Sequence, residues 1–293
     1  MFKRKNITHG ILFALAAAGA FSCNRPTTGT AEKILSVSIE PQRYFLETIV
    51  GDKFQVNSVI APGANPESFD PAPAQMLALS KSSAYFKIGR LNFENAWLNK
   101  LKENEPTLKI VDCSEGLRAV LKPAANAHSD HAGDDPHIWS SPRTALVIAQ
   151  NMYGAVVAID PENKAFYEQN MQRLLSEFTR TDSIIRSYLD DAPCKSFYIY
   201  HAALGYFADE YGLTQRCIEQ DGKSPTPAQL KQSIDLARQE NIRVVFIQAE
   251  YDRKNAETLA DEIGAKVVPI DLLSYRWSDE LIKIAQSIAA ANE

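Results

Sequence analysis

Two of the five histidines in the chain stand in segments that could bind a metal ion. His137 lies in Asp-Pro-His-Ile-Trp at residues 135–139, and His201 directly follows an apolar run that ends at Tyr200. Neutral imidazole nitrogen is a common ligand of transition metals. Both histidines stand just before a helix-like segment. They are therefore candidates for one site built from residues that are distant in sequence.

Two carboxylates fall at comparable places. Glu67 lies in the loop after the predicted strand 54–60, and Asp271 directly follows the predicted strand 266–270. Two imidazoles and two carboxylates can surround a divalent ion, and the two negative charges make its burial feasible. Nitrogen ligands favour zinc, iron, nickel or copper over calcium and magnesium, and the carboxylates also suit manganese.

Each of these residues also has a simpler interpretation. His201 could be a hydrogen-bonded histidine of the core, and Asp271 could cap the turn that follows it. Glu67, in a loop rich in turn-forming residues, could be a solvated acid. The metal site is therefore predicted from the joint placement of the residues, not from any one of them.

Short strand-like and helix-like segments alternate along the chain, which predicts an α/β fold with parallel sheets and right-handed crossovers. The predicted strands are 33–39, 54–60, 84–88, 107–111, 196–200, 214–218, 243–247 and 266–270. The predicted helices between and after them are 42–50, 73–81, 92–103, 203–211, 227–240, 254–263 and 279–290. Ligands of open parallel sheets bind beyond the carboxyl ends of the strands. A cleft between the two halves would therefore bring the candidate ligands together.

A mainly helical stretch, residues 142–189, separates the two sets of strands. Neither Gly nor Pro interrupts residues 162–189, and apolar residues recur there at helical spacing. One continuous helix of this length would extend roughly 40 Å and join the lobes rigidly. The alternative is two helices with a break near residues 181–183. The predicted organisation is an N-terminal lobe at 33–158, a connecting helix at 159–190 and a C-terminal lobe at 191–293.

The N-terminus has the pattern of a secretory signal. Lys3, Arg4 and Lys5 precede an apolar run at 11–21, which is too short to span a bilayer as a mature helix. Small residues and then Cys23 follow, as in bacterial lipoprotein signals. We therefore expect cleavage after residue 22, a lipid on Cys23 and a flexible tether at 23–32. The alternative is an ordinary signal with an incidental cysteine.

Charge and cysteine usage exclude other classes of protein. Loss of residues 1–22 removes three positive charges and no acid, which changes the formal net charge from −5 to −8. A protein with this negative net charge is unsuited to binding nucleic acid. The remaining cysteines include no close pair, which argues against a structural zinc site. Cys194 and Cys217 could form a disulfide or remain free thiols.

Five segments together resemble the solute-binding lipoproteins of zinc and manganese ABC importers, the cluster A-I or ZnuA/TroA-like family. They are Ala-Pro-Gly-Ala-Asn-Pro-Glu-Ser-Phe-Asp-Pro at 61–71, the segment 135–139, the segment around His201, Ser-Pro-Thr-Pro-Ala-Gln-Leu at 224–230, and Gly264 to Asp271. The resemblance extends from about Ile34 to the C-terminus. It implies two α/β lobes, each with a four-stranded parallel sheet, joined by a long rigid helix, with one metal ion between them.

The resemblance also implies a ligand set. His137 matches the second ligand of the family, His201 the third and Asp271 the fourth, while Glu67 stands where the first ligand is usually histidine. This replacement makes the site harder and more open to manganese or iron. Gln248 stands where relatives often carry Glu, and we assign it no role.

The implied function is extracytoplasmic binding of one divalent ion for delivery to an ABC importer permease, and zinc is the leading candidate for that ion. The protein would be a monomer, lipid-anchored on the periplasmic or outer face of a bacterial membrane. Manganese or iron in the same role is the alternative, followed by an iron chelate or a corrinoid. His128 and His131 lie in a polar loop that could capture metal before transfer, or that could carry them incidentally.

An enzyme is the competing class of function. A metal-dependent hydrolase needs an open coordination position and a general base beside the bound water. The chain has neither a His-Glu-x-x-His segment nor a Gly-x-Ser-x-Gly segment. Four protein ligands would also leave little room for a substrate. We therefore expect no enzymatic activity.

Overall fold

The computed structural model describes residues 33–61, 63–121, 135–220 and 222–291. The predicted signal, the lipid attachment at Cys23 and the tether lie outside these residues, as do His128 and His131. They stay predictions.

The first half of the described chain forms a four-stranded parallel sheet in the order β2-β1-β3-β4. Its strands are β1 (Ile34–Val37), β2 (Gln55–Ser58), β3 (Ala84–Lys87) and β4 (Lys109–Asp112). Helices α1 (Glu40–Val50), α2 (Pro73–Ser80) and α3 (Asn92–Asn104) connect them, and a short α4 (Leu117–Val120) follows. Leu35 and Val37 of β1 are fully buried because this strand is flanked on both sides and covered by helices.

Two helices connect the halves. They are α5 (Pro142–Ile159) and α6 (Lys164–Leu189), separated by a 3₁₀ turn at Pro161–Asn163. Helix α6 has 26 residues and no break at residues 181–183, so the continuous helix is confirmed. It packs against α1 of the first half and α10 of the second, with Leu174 and Phe178 buried. One rigid element therefore contacts both lobes.

The second half repeats the architecture, with a parallel sheet in the order β6-β5-β7-β8. Its strands are β5 (Ser196–Ile199), β6 (Thr214–Cys217), β7 (Val244–Gln248) and β8 (Lys266–Ile270). Its helices are α7 (Gly205–Tyr211), α8 (Pro227–Gln239), α9 (Lys254–Ile263) and α10 (Trp277–Ala290). Glycines in the left-handed region, Gly212 and Gly264, end α7 and α9.

Local sequence explains where several helices begin. Helix α8 begins after Thr226, whose side chain accepts the Gln229 N–H at 3.3 Å, with Pro227 in the first turn. Helix α1 begins after Ile39, where the Gln42 side chain accepts main-chain N–H groups. Such caps satisfy the donors that a helix start leaves free.

The predicted fold class is confirmed, and the element bounds differ by a few residues. The strands are mostly shorter than predicted, although parallel pairing continues past their ends through Val59 N–H to Val37 O (2.9 Å) and Ile60 N–H to Ser38 O (3.0 Å). The four-residue α4 was not predicted, because one turn of helix carries no periodic pattern. None of the helices in the described ranges is both long and apolar enough to cross a membrane.

Cys194 and Cys217 are free thiols in this structure, as is Cys113. The Cys217 thiol donates to Tyr200 O at 3.0 Å, and burial raises its pKa to about 12. Of the two alternatives for this pair, the structure has the free thiols.

Candidate metal centre

Three of the four predicted ligands meet at the carboxyl ends of the two sheets. Glu67, His137 and His201 each place one ligand atom within 4.8 Å of the others. Glu67 Oε1 lies 3.7 Å from His137 Nε2 and 3.9 Å from His201 Nε2. Bonds near 2 Å at tetrahedral angles place ligand atoms about 3.3 Å apart. Glu67 Oε1 is therefore only about half an ångström farther from each histidine nitrogen than it would be in a tetrahedral zinc site.

His137 is oriented by its own turn. Its Nδ1 lies 2.7 Å from Asp135 Oδ1, and the same oxygen accepts the His137 main-chain N–H at 2.9 Å. The imidazole is only 4 % exposed. When Nδ1 donates to a carboxylate, the lone pair of Nε2 is free for a metal ion, which is the usual arrangement behind a metal-bound histidine.

His201 is held in the same way from a different strand end. Its Nδ1 lies 2.6 Å from Oε1 of Glu219, a residue just beyond β6. Gln248 binds the main chain of His201, donating to its carbonyl at 2.9 Å and accepting its N–H at 3.4 Å. The Tyr251 ring stacks on the imidazole, with centroids 5.3 Å apart and planes at 14°. Position, tautomer and ring plane are therefore all constrained.

The other nitrogen of His201 is available to a ligand. His201 Nε2 is buried and has no hydrogen-bond partner among the described residues. A buried polar atom without a partner is costly, so such atoms generally mark a functional position. Here the atom faces the Glu67 carboxylate and lies beside His137. Two imidazole nitrogens and a carboxylate oxygen fit a divalent transition ion.

Neighbouring carboxylates determine how His201 titrates. Burial acts to lower the pKa of His201, but the hydrogen bond to Glu219 and the charges of Glu219 and Glu67 outweigh it. The pKa is therefore raised above its usual value. The ring is a strongly basic ligand for which protons compete with metal.

Glu67 reaches the site from the loop between β2 and α2. Its main-chain N–H donates to Asn65 Oδ1 at 2.8 Å, which fixes the turn around the buried Pro66. The side chain of Glu67 is 29 % exposed, so the carboxylate stands where the site opens to solvent.

Asp271 is at the predicted strand end but outside this cluster. Its carboxylate accepts the Leu273 N–H at 3.0 Å, and its own N–H donates to Glu280 Oε1 at 2.8 Å. The residue is exposed, while the next two residues, Leu272 and Leu273, line the cleft. As a ligand, Asp271 stays a prediction.

The free space in the cleft around the cluster is about 10 Å³, and residues of both halves form its walls. Trp139 Nε1 donates to Leu272 O at 2.7 Å, and Trp277 Nε1 donates to Trp139 O at 2.6 Å. These bonds connect the segment of His137 to the segment of Asp271. They fix the separation of the two walls next to the site.

Sequence reasoning missed the residues that hold the histidines: Asp135, Glu219, Gln248 and Tyr251. Asp135 stood in the quoted motif two residues before His137. Glu219 stands just beyond a strand end, as His201 does, so the same rule could have selected it. Gln248, to which no role was assigned, supports the main chain of His201.

Comparison with known proteins identifies the family of the chain. Residues 36–290 match the family described as "ZnuA: Zinc-uptake complex component A periplasmic". The high-affinity zinc uptake system protein ZnuA of Bacillus subtilis is 27% identical over 280 residues, covering 91% of this chain and 86% of its own length. The manganese ABC transporter substrate-binding lipoprotein PsaA of Streptococcus mitis is 27% identical over 234 residues, covering 75% of this chain and 74% of its own length.

A solved structure gives the same result for the fold. A crystal structure of ZnuA superimposes with a TM-score of 0.82 and 35% sequence identity, over 89% of this chain and 100% of that one. The family match covers most of the chain, and the geometry matches a site for a single ion. The chain therefore belongs to the ZnuA family of metal-binding substrate-binding proteins of ABC importers, which are transport proteins and not enzymes.

Proposed function

We propose that this protein captures zinc outside the cytoplasmic membrane and delivers it to the permease of an ABC importer. The observation that carries the proposal is the buried, unpartnered His201 Nε2 beside Glu67 and His137. The family match and the zinc-uptake name of the Bacillus subtilis relative support it. In this role the ion is the cargo.

The proposed ligands are Nε2 of His137 and of His201 together with the carboxylates of Glu67 and Asp271. Two carboxylates neutralise a doubly charged ion, which offsets the cost of moving it from water into the cleft. For Asp271 to bind, its carboxylate must leave the Leu273 N–H and turn toward the cleft. Anchoring through a lipid on Cys23 and early capture by His128 and His131 belong to the same proposal, as does the division into lobes at 33–158 and 191–293 with a connecting helix at 159–190.

Manganese is the second candidate, because Glu67 supplies oxygen where an imidazole would supply nitrogen. Oxygen ligands suit manganese better than nitrogen ligands do. Several relatives, such as the Streptococcus mitis protein, are named manganese ABC transporter substrate-binding lipoproteins. An iron chelate or a corrinoid is disfavoured because the free space in the cleft, about 10 Å³, holds little more than one water molecule, whereas the pockets that hold organic ligands are far larger.

Elemental analysis tests this function directly. The mature chain would be purified without added metal, affinity tag or chelating column, and its zinc and manganese content measured. Competition of the two ions for the metal-free protein would follow. We expect one equivalent of zinc and preference for zinc over manganese. Preference for manganese would refute the zinc assignment, and binding of neither ion would refute metal transport.

A further inference from the structure

We propose that Glu250 is a metal ligand of this site, with its carboxylate completing the set that Glu67, His137 and His201 begin. This inference rests on the proposed function and deepens it, because it names a further residue that determines which ion is held. Glu250 matched none of the sequence motifs that predicted the other ligands.

The position of Glu250 in the chain places it next to His201. It lies in a turn after β7 that is closed by the Tyr251 N–H donating to Gln248 O at 3.2 Å. Gln248 binds the main chain of His201, and Tyr251 stacks on its ring. Glu250 therefore stands between two residues that each contact His201. The turn that orients this histidine also presents a carboxylate beside it.

Glu250 also stands on the wall of the metal cleft. Glu250 lines the same cleft as Glu67, His137 and His201, and as a residue it is exposed. An exposed carboxylate on the wall of a metal cleft stands where an ion arrives.

The third argument is a contrast between Glu250 and Asp271. The charged groups that act on Glu250 include Asp271, His201 and His137. Those that act on Asp271 are Glu280 and Lys283 of α10, and its carboxylate is held by the Leu273 N–H. Both carboxylates lie outside the cluster of Glu67, His137 and His201, and Glu250 is the one whose charge interacts with the two histidines.

With Glu250 as a ligand, the charge and the ligand types of the site change. Glu67 and Glu250 supply two carboxylates against two imidazoles, so the ion is neutralised before Asp271 takes part. With Asp271 as a fifth ligand, the site has three oxygen and two nitrogen ligands. Zinc accepts four or five ligands. More oxygen makes the site more favourable for manganese.

The test compares the wild type with Glu250→Gln, Asp271→Asn and the control Glu257→Gln. Glu257 lies on α9, is exposed and pairs with Arg253, so its substitution removes the same charge from the neighbouring helix. Zinc and manganese affinities would be measured by competition with a chelator. X-ray absorption at the zinc edge, on zinc-saturated protein, would count the oxygen and nitrogen neighbours. The unfolding temperature without metal would show that each variant is folded.

For Glu250→Gln we expect affinity for zinc to fall about tenfold or more and the coordination count to fall by one. Glu257→Gln should change neither quantity. Equal affinity and equal coordination in the wild type and Glu250→Gln, with one zinc still bound, would overturn this inference and leave the proposed function standing. A wild type that binds no metal would overturn both.

Discussion

Replacing Glu219 by glutamine tests whether the carboxylate behind His201 sets the strength of the site. Glu219 Oε1 lies 2.6 Å from His201 Nδ1, and the side chain is only 10 % exposed. Glutamine has the same shape and still offers an oxygen to the Nδ1–H. The ring orientation is therefore retained, and the negative charge alone is lost.

The expected loss follows from the role of that charge. A carboxylate on Nδ1 makes Nε2 a better ligand, and removal of such a partner typically weakens metal binding 10- to 100-fold. Because glutamine keeps the hydrogen bond, we expect the lower end, about tenfold, or about 1.4 kcal/mol. Glu219→Ala removes the orientation as well and should approach about 100-fold.

The same substitution changes the pH dependence in a defined direction. The hydrogen bond to Glu219 and its charge raise the pKa of His201, and this pKa should fall in Glu219→Gln. Protons compete least for either ring at the highest pH tested, so the variant shows its largest loss at pH 8. At pH 5.5 protons compete more strongly for the wild-type ring. The difference between the two proteins should therefore shrink as the pH falls.

Chelator competition with zinc at pH 8.0, 7.0 and 5.5 would measure this, with Glu257→Gln as the matched control. A Glu219→Gln protein that binds zinc as tightly as the wild type at pH 8 would refute the reasoning. A difference that grows toward low pH would refute the assignment of the charge effect to His201.

Three further predictions address the ligand set, proton competition and the connection between the walls. His201→Ala should weaken zinc binding far more than His128→Ala in titration calorimetry, and comparable losses would place the main site in the polar loop. Wild-type affinity should fall between pH 7.5 and 5.5, because protons compete with the ion for the ring of His201, whose pKa is raised above its usual value; equal affinity would contradict imidazole ligation. Trp277→Phe leaves the buried Trp139 carbonyl without its donor and should lower the free energy of unfolding by about 1–3 kcal/mol in urea denaturation. A variant as stable as the wild type would show that this bond does not hold the walls.

The alternation of strands and helices was readable from the sequence because each element carries its own local pattern. Helix α6 was predicted as one piece because its sequence contains no Gly or Pro, and the structure agrees. The strand orders β2-β1-β3-β4 and β6-β5-β7-β8 were not predicted. They depend on pairings between segments far apart in the chain, such as β1 with β3, for which no local pattern exists.

The candidate ligands could be predicted from the sequence because they follow predicted strands, whose carboxyl ends meet at one edge of a parallel sheet. That rule placed His137, His201, Glu67 and Asp271 at one edge of the molecule, and three of them converge. It cannot give the direction of a side chain. Asp271 directly follows β8, and His201 follows β5 by one further residue, yet the carboxylate of Asp271 is held by the Leu273 N–H within its own turn. Local hydrogen bonds within a turn determine which of its side chains faces the cleft, and the strand pattern does not predict them.

The architecture also limits how an ion can leave. Helix α6 packs against α1 and α10, and the two indole bonds through Trp139 connect the walls beside the cleft. A wide hinge opening would break both bonds and unpack the helix. Movement of the turn that carries Glu67 leaves both indole bonds intact and breaks bonds within that turn, such as the one from Glu67 N–H to Asn65 Oδ1 at 2.8 Å. Release to a permease is therefore expected to act on the Glu67 turn while the histidines stay fixed by Asp135 and Glu219.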